Sequence, residues 1–390
     1  MFVERTVTKD FLKRAKIYPV VALVGARQSG KTTLLKELMK GKDSTYTLFD
    51  DPDARELFDN DIKRFDRQHV EGKELAVLDE VQYCKDPGQK IKYLADTGRT
   101  LWLTASSETA LGKEVLSFLV GRVGIMRLYP FSFHEFLEAV GDKELTLTAK
   151  RRRIWEHMTY GGYPKAVLSS DVETKRLYLA DLFETMLLKD VVRQFSIEDS
   201  EALQRSAVYL ASTTGSTVSY ESMASSLAIS FRTLKKYIDA LLKAYLLFEV
   251  KPYFKNRIKE ITKQPKLYFM DTGIRNAVLR AYPDEPDGQT FENYVACELL
   301  RAGHQLHYWR TKTDQEVDFV IEIGKETIPI EVKINHAPSD SLGGCLSFIK
   351  QYSPKRAFFV TFKGEAGTTQ VNGCHVHYTD VPGLLEALKK

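Results

Sequence analysis

Two stretches of this chain carry residues whose types and spacing can do chemistry. Residues 25–32 read GARQSGKT and fit G-x-x-x-x-G-K-[ST] at each fixed position, Gly25, Gly30, Lys31 and Thr32. Far downstream, residues 316–333 read EVDFVIEIGKETIPIEVK and end in a carboxylate–x–lysine pair. The first stretch can grip a nucleoside triphosphate. The second can hold a metal ion beside a phosphodiester.

In the first, glycines let the backbone curl so that its N–H groups face the phosphates, and the helix that follows adds the positive end of its dipole. The expected nucleotide contacts are Gly25, Ala26, Arg27, Gln28, Ser29, Gly30, Lys31, Thr32 and Thr33. Lys31 reaches the β and γ phosphates, and the Thr32 hydroxyl binds Mg²⁺. The apolar run LAVLDE places Asp79 and Glu80 at a strand end. Asp79 can hold Mg²⁺, and Glu80 can take the proton of an attacking water as general base. A solvated turn is the plainer alternative for the pair. In TLWLTAS, Thr104 or Ser106 can sense the γ-phosphate, although hydroxyls at strand ends also cap helices. Arg122, in LVGRVG, can supply transition-state charge, in cis or from a neighbouring subunit; otherwise it makes a surface salt bridge.

In the second stretch, Asp318 stands between apolar neighbours, and Glu331 and Lys333 are two residues apart on a strand, so they share a face. Twelve residues separate Asp318 from Glu331, which suits a hairpin returning one strand beside the other. Glu292, on the helix pattern TFENYVACELL, can complete a shell with Asp318 and Glu331 around Mg²⁺ or Mn²⁺. Lys333 can stabilise developing charge or position a water. The competing reading is that the acids simply pair with the lysine.

Between these stretches lies a basic island. Residues 200–270 hold eleven Lys/Arg against five Asp/Glu, a net of +6 in a chain of net charge +4. That distribution points to a localised nucleic-acid contact. The segment YESMASSLAISFRTLKKYIDALLKAYLLFEVKPYF is laid out as a winged helix-turn-helix, with Ser230 capping the second helix. Phe231, Leu234, Ile238, Leu241 and Leu242 recur at helical spacing and should face the core, with Arg232, Lys235 and Lys236 on the other side. LLFEVKPY and KLYFMD should form the wing, joined by FKNRIKEITKQP with basic residues near its tip. Lys and Arg on such a helix neutralise phosphates in a major groove; many winged helices contact protein instead.

Positioning these residues takes a particular set of elements. PVVALV, TYTLFD, ELAVLDE and TLWLTAS read as strands separated by helix-competent stretches, an α/β pattern with a parallel sheet. Residues 150–212 read as mostly helical with a break at YGGYP, and YPDEPDG is a linker signal. The expected domains are therefore 1–145, a helical connector at 146–200, the winged helix at 201–281 and a C-terminal α/β domain at 289–390. Hydrophobic residues are 43% and charged residues 28%, a globular balance. Neither a signal peptide nor a run of ~18 apolar residues is visible, so no membrane partner and a cytoplasmic location are expected. The four cysteines are scattered, without a CxxC pair, which argues against a zinc ribbon. CHVH at 374–377 reads as an alternating strand near the surface, and His304 and His307 as strand-face residues.

The stretches ALVGARQSGKTTLLKEL, LAVLDEVQ, GRVGIMRLYPFSFHEFL, YGGYPKAV, LYFMDTGI and EVDFVIEI…IPIEVK occur in this order across nearly the whole chain. In these the chain resembles prokaryotic AAA-type P-loop ATPases with a C-terminal domain of formerly unknown function. The resemblance implies an ATPase core, a winged helix and a domain with the fold of PD-(D/E)xK nucleases. TASSE departs from the pattern, where relatives often show Gly before the serine. The expected function is ATP hydrolysis with Mg²⁺, coupled to binding of nucleic acid, DNA in the first instance, with metal-dependent cleavage as the output. Two alternatives stand beside it: an ATP-dependent switch or scaffold with an inactive nuclease-like domain, and a DNA-binding regulator with residual ATPase activity. A homo-oligomer is compatible with this class.

Overall fold

A computed structural model of the chain describes residues 2–106, 117–142, 145–217, 219–254 and 264–389. They form two compact units. One comprises Met1–Phe131 with the short segments 163–165 and 243–245; the other comprises Ser132–Gly162, Ala166–Leu242 and Leu246–Lys390.

In the first unit, β1 (Val20–Val24), β2 (Ser44–Leu48), β3 (Leu75–Asp79), β4 (Leu101–Ala105) and β5 (Val123–Arg127) form one sheet in the order β2-β3-β4-β1-β5. Each pairing is parallel. β1, β3 and β4 are buried along their whole length, which is why they are written as unbroken apolar runs. Phe11, Leu34 and Leu35 pack with Val21, Leu23, Val77 and Trp102, and the rings of Phe11 and Trp102 meet edge to face at 5.0 Å. The four expected strands are present. β5 was not expected: its alternating, half-buried pattern in VGIMR is too short to stand out. Because all strands run the same way, the loop after β1, the end of β3 and the end of β4 open at one carboxyl edge, where open α/β sheets bind ligands.

The second unit combines helices with an eight-stranded sheet in the order β12-β13-β11-β10-β9-β8-β6-β7. Its strands are β6 (Leu247–Pro252), β7 (Lys266–Phe269), β8 (His307–Arg310), β9 (Glu316–Ile323), β10 (Glu326–Lys333), β11 (Arg356–Thr361), β12 (Gly367–Val371) and β13 (Cys374–Thr379). The expected hairpin is β9–β10, antiparallel from Glu326↔Ile323 to Ile330↔Phe319. β6 and β7 form the expected antiparallel wing, but β6 also pairs with β8 at Lys251↔His307 and Pro252↔Tyr308. The hairpin of β6 and β7 thus continues the C-terminal sheet. Helix Phe133–Val140 belongs to the second unit, where the Phe133 amide donates to buried Glu298 at 3.0 Å. The basic wing tip falls largely at 255–263, outside the described residues.

Helices Ser200–Ser212, Tyr220–Ser226 and Phe231–Lys243 precede β6 and β7 in the order expected for a winged helix-turn-helix. Ser230 caps the third, accepting from the Thr233 amide at 3.0 Å. Leu234, Ile238 and Leu241 are buried as expected, together with Tyr237. Phe231 is not: it is 44% exposed, because it opens the helix's first turn beyond the packed stripe.

Two motifs far apart in sequence explain each other. Helix Leu147–Tyr160 ends at Gly161 (φ 72°), and the Gly162 amide donates to Asp271 at 2.8 Å. Asp271 also accepts from Gly273 and Ile274, capping helix Thr272–Leu279. A Cβ on Gly273 would lie 2.3 Å from the Tyr160 carbonyl oxygen. YGG and DTG are thus two sides of one close backbone crossing. CHVH lies in β13, alternating between buried and more exposed positions, as expected. His307 lies in β8, while His304 sits in the turn after helix Gly288–Arg301. Among the described residues, no helix is long and apolar enough to cross a membrane.

Candidate nucleotide site and acid cluster

The phosphate loop bridges β1 and helix Lys31–Met39. Gly25 has φ 153°, and a Cβ there would stand 2.1 Å from the Leu128 carbonyl oxygen, so only glycine lets the loop pass this strand. Gln28 (φ 63°) and Gly30 (φ 99°) take left-handed turns that bend residues 25–30. Ala26 and Ser29 are buried, and the Arg27 guanidinium lies 3.5 Å from the Tyr83 hydroxyl. Lys31 arches over the loop and donates to the carbonyls of Gly25 at 2.9 Å and Ala26 at 3.0 Å. Thr32 faces β3, and its hydroxyl donates to Asp79 Oδ2 at 2.7 Å. Thr33, one residue on, is exposed.

Asp79 is almost completely buried and collects three hydroxyl donors, from Thr32, Tyr46 and Thr104. Burial, and then Asp79 itself, push the Tyr46 phenol well above its usual range, so it stays a donor. Thr104 also accepts the Glu80 amide at 2.9 Å. Of the two hydroxyls considered for phosphate sensing, Thr104 is therefore turned to β3, where it positions the acidic pair. Glu80 occupies a left-handed conformation (φ 61°), unusual for a non-glycine residue, and its carboxylate accepts from Gln82. The same Gln82 amide lies 3.4 Å from the Ser106 hydroxyl, so Glu80 and Ser106 share a neighbour at the carboxyl edge.

Arg122 stands elsewhere. Its carbonyl accepts from Val20, at the start of β1, whereas the phosphate loop follows the other end of that strand. Its guanidinium pairs with Asp96 at 2.6 Å on the surface. The expectation of a role in cis is corrected: a strand length of roughly 3.3 Å per residue over five residues separates it from the loop. In contrast, Arg5 was not foreseen. It is buried, donates to the Ser29 carbonyl at 2.9 Å and the Tyr129 carbonyl at 2.6 Å, and lies over the Phe131 ring. Nothing in a lone arginine near the start of a sequence signals this; Tyr46 was findable, since it sits on the strand that pairs with β3.

In the second unit Asp318 and Glu331 both meet Lys333. The Asp318 carboxylate accepts the Val332 amide at 2.8 Å, just where the β9–β10 ladder ends. Lys333 Nζ lies 2.7 Å from Glu331 and 3.8 Å from Asp318. Burial, and then Asp318, push Glu331 up to about 8 and Glu292 up to about 7. Burial works against the Lys333 ammonium, but Asp318 and Glu331 outweigh it and raise its pKa. The oxygen donors suit a hard cation in kind, and Glu331 Oε2 is buried without a partner. In arrangement they do not fit one: among the described residues no three His, Cys, Asp or Glu side chains are set together for a metal. Glu292 is instead engaged by Lys266 at 3.3 Å and by the Tyr268 hydroxyl at 2.6 Å. Arg232, Lys235 and Lys236 are exposed on helix Phe231–Lys243, and Lys236 donates to the Ser196 carbonyl at 3.0 Å.

Residues 18–137 match a family model described as an AAA domain. Residues 151–285 and 287–378 match two models described as domains of unknown function, DUF8612 and DUF4143. The chain is 29% identical over 357 residues to an uncharacterized protein of Mycobacterium tuberculosis, covering 87% of this chain and 76% of that one. It is 24% identical over 342 residues to one of Haemophilus influenzae, with coverage of 83% and 82%. Among solved structures, a Walker-type ATPase of Pyrococcus abyssi is similar at a TM-score of 0.49 and 13% identity, over 71% of this chain and 96% of that one. The ORC2 protein of Aeropyrum pernix follows at a TM-score of 0.38 and 12% identity, over 77% and 96%. The first unit combines a parallel sheet and a phosphate loop with a match to an AAA domain over residues 18–137, and Arg5 lies ahead of that matched segment.

Proposed function

We propose that this chain hydrolyses ATP and couples hydrolysis to nucleic acid, DNA in the first instance. The observation that carries the first half is Thr32 held against Asp79, with Lys31 over the loop and Glu80 beside it. Lys31 binds the β and γ phosphates, and Thr32 and Asp79 are the residues that would hold Mg²⁺. The ion would neutralise charge on the phosphate oxygens. Glu80 takes the proton of the attacking water, and Ser106 lies where it can meet the γ-phosphate. Phosphate release by the purified chain tests this: Lys31→Ala should abolish it, and undiminished hydrolysis in that variant overturns the reading.

Exposed Arg232, Lys235 and Lys236 support the second half. Each charge removed should lower the salt dependence of duplex binding by about one phosphate contact. Retention in a gel shift that ignores both salt and these substitutions would remove this part.

For the C-terminal domain, convergence of Asp318, Glu331 and Lys333 supports metal-dependent phosphodiester cleavage. The engagement of Glu292 by Lys266 favours the other reading, a switch or scaffold whose nuclease-like domain is catalytically inactive. We adopt the second.

A further inference from the structure

The acid cluster contains a second ammonium that no motif announces. Lys266 stands in β7 and is 2% exposed. Its Nζ lies 3.3 Å from Glu292 Oε1 and in tighter contact with Glu316. Tyr268, two residues along the same strand, donates to the same Glu292 oxygen at 2.6 Å. β7 therefore sends two side chains from one face into the carboxylate that the sequence offers as a metal ligand. On the other side, Lys333 engages Glu331 and Asp318.

A buried ammonium is tolerated only where carboxylates surround it closely, and buried carboxylates likewise require a cation. A lysine or a divalent ion can meet that need, but the two repel each other at this range.

We propose that Lys266 is the resident cation of this cluster, standing where a divalent metal would otherwise bind, and that the cluster ties the wing strand β7 to the β9–β10 hairpin. The proposal rests on the reading of the C-terminal domain as catalytically inactive and names what makes it so. Its ligand class is explicit: with the lysine charge removed, the two carboxylates it holds, Glu292 and Glu316, lose their cation and are open to a hard divalent ion.

The test is a Mn²⁺ titration of the full-length, nucleotide-free chain followed by electron paramagnetic resonance. The parent should show no Mn²⁺ that is lost on Asp318→Asn. Lys266→Met keeps the length of the side chain and removes its charge. It should gain one Mn²⁺ per chain, at least about tenfold tighter than any binding to the parent, and lose it again with Glu292→Gln. A folded Lys266→Met that binds no Mn²⁺ overturns the proposal. So does a parent that binds Mn²⁺ through Asp318, or that cuts DNA or RNA with Mn²⁺ in an Asp318-dependent way. Should Lys266→Met not fold, the parent decides alone: binding or cutting through Asp318 refutes, and their absence supports. Failure of the ATPase reading is registered separately, by phosphate release from the parent.

Discussion

The Thr32 hydroxyl, on the first turn of the helix after the phosphate loop, donates to Asp79 at the end of β3 across 2.7 Å. Residues 47 positions apart in sequence are thus locked side by side. The relationship arises from the strand order, since β4 separates β1 from β3 and leaves a cleft at the carboxyl edge into which both side chains turn. Both are hard oxygen donors. Thr32→Ala should therefore raise the Mg²⁺ concentration for half-maximal hydrolysis at least about tenfold, because a direct oxygen donor is lost. ATP affinity measured without Mg²⁺ should change little. Equal weakening with and without Mg²⁺ would assign Thr32 to the loop's shape instead.

Glu80 offers a separable effect. Its amide is fixed by Thr104 and its carboxylate by Gln82, and its backbone takes a left-handed turn that aims it away from the strand. Such strain in a non-glycine residue persists where the surroundings impose it, often at a working site. Glu80→Gln keeps the shape and removes the base. Hydrolysis should fall about a hundred- to ten-thousand-fold with ATP binding intact. Calorimetry with ATP beside single-turnover phosphate release distinguishes this from a loss of folding; a variant that turns over normally refutes the assignment.

What the sequence made legible follows from how local each signal is. The phosphate loop is written contiguously and needs a strand before it and a helix after it, so Gly25–Thr33 could be placed in advance. β3 and β4 were readable because burial on both faces makes them continuous apolar runs. Asp318, Glu331 and Lys333 were readable because a two-residue period fixes their face. Arg122 was misplaced because a motif does not say at which end of a sheet it falls. Arg5 and Lys266 stayed hidden because each acts through long-range contacts, which no spacing records. Phe231 matched the helical period, yet it lies in the first turn, where the periodic stripe no longer guarantees a neighbour.

The crossing of YGG over DTG gives a prediction about stability. Asp271 is fully buried and accepts the amides of Gly162, Gly273 and Ile274, with Arg301 at 3.2 Å. Burial pushes its pKa up despite Arg301, so its bonds only partly repay its desolvation. Asp271→Ala leaves three buried amides and part of Arg301 unmatched. It should cost the second unit about 3 kcal/mol or more. Gly273→Ala should be comparably harmful, since the new methyl meets the Tyr160 carbonyl rather than a movable side chain. Thermal unfolding followed by near-ultraviolet circular dichroism checks both, with ATP binding by the first unit as the control. A melting curve within about 1 °C of the parent would contradict the packing argument.

The acid cluster predicts a pH dependence whose sign is fixed. Glu331, faced by Asp318, Lys333 and Cys345, is pushed up to about 8, and Glu292, faced by Asp318, Lys266 and Tyr268, to about 7. Unfolded, both carboxyls release their protons in the usual carboxylate range. The folded state therefore binds more protons between that range and about pH 8. Their stabilising contribution is complete below the usual carboxylate range and is lost as pH rises through the folded values. The second unit should melt on the order of 5 °C higher at about pH 6 than at about pH 8.5. Glu331→Gln should flatten that slope and raise the melting temperature at the alkaline end, because a neutral amide replaces a carboxylate that burial and Asp318 disfavour. A slope of the opposite sign, or one that Glu331→Gln leaves unchanged, would mean that Lys333 neutralises Glu331 fully and that the proton resides elsewhere in the cluster.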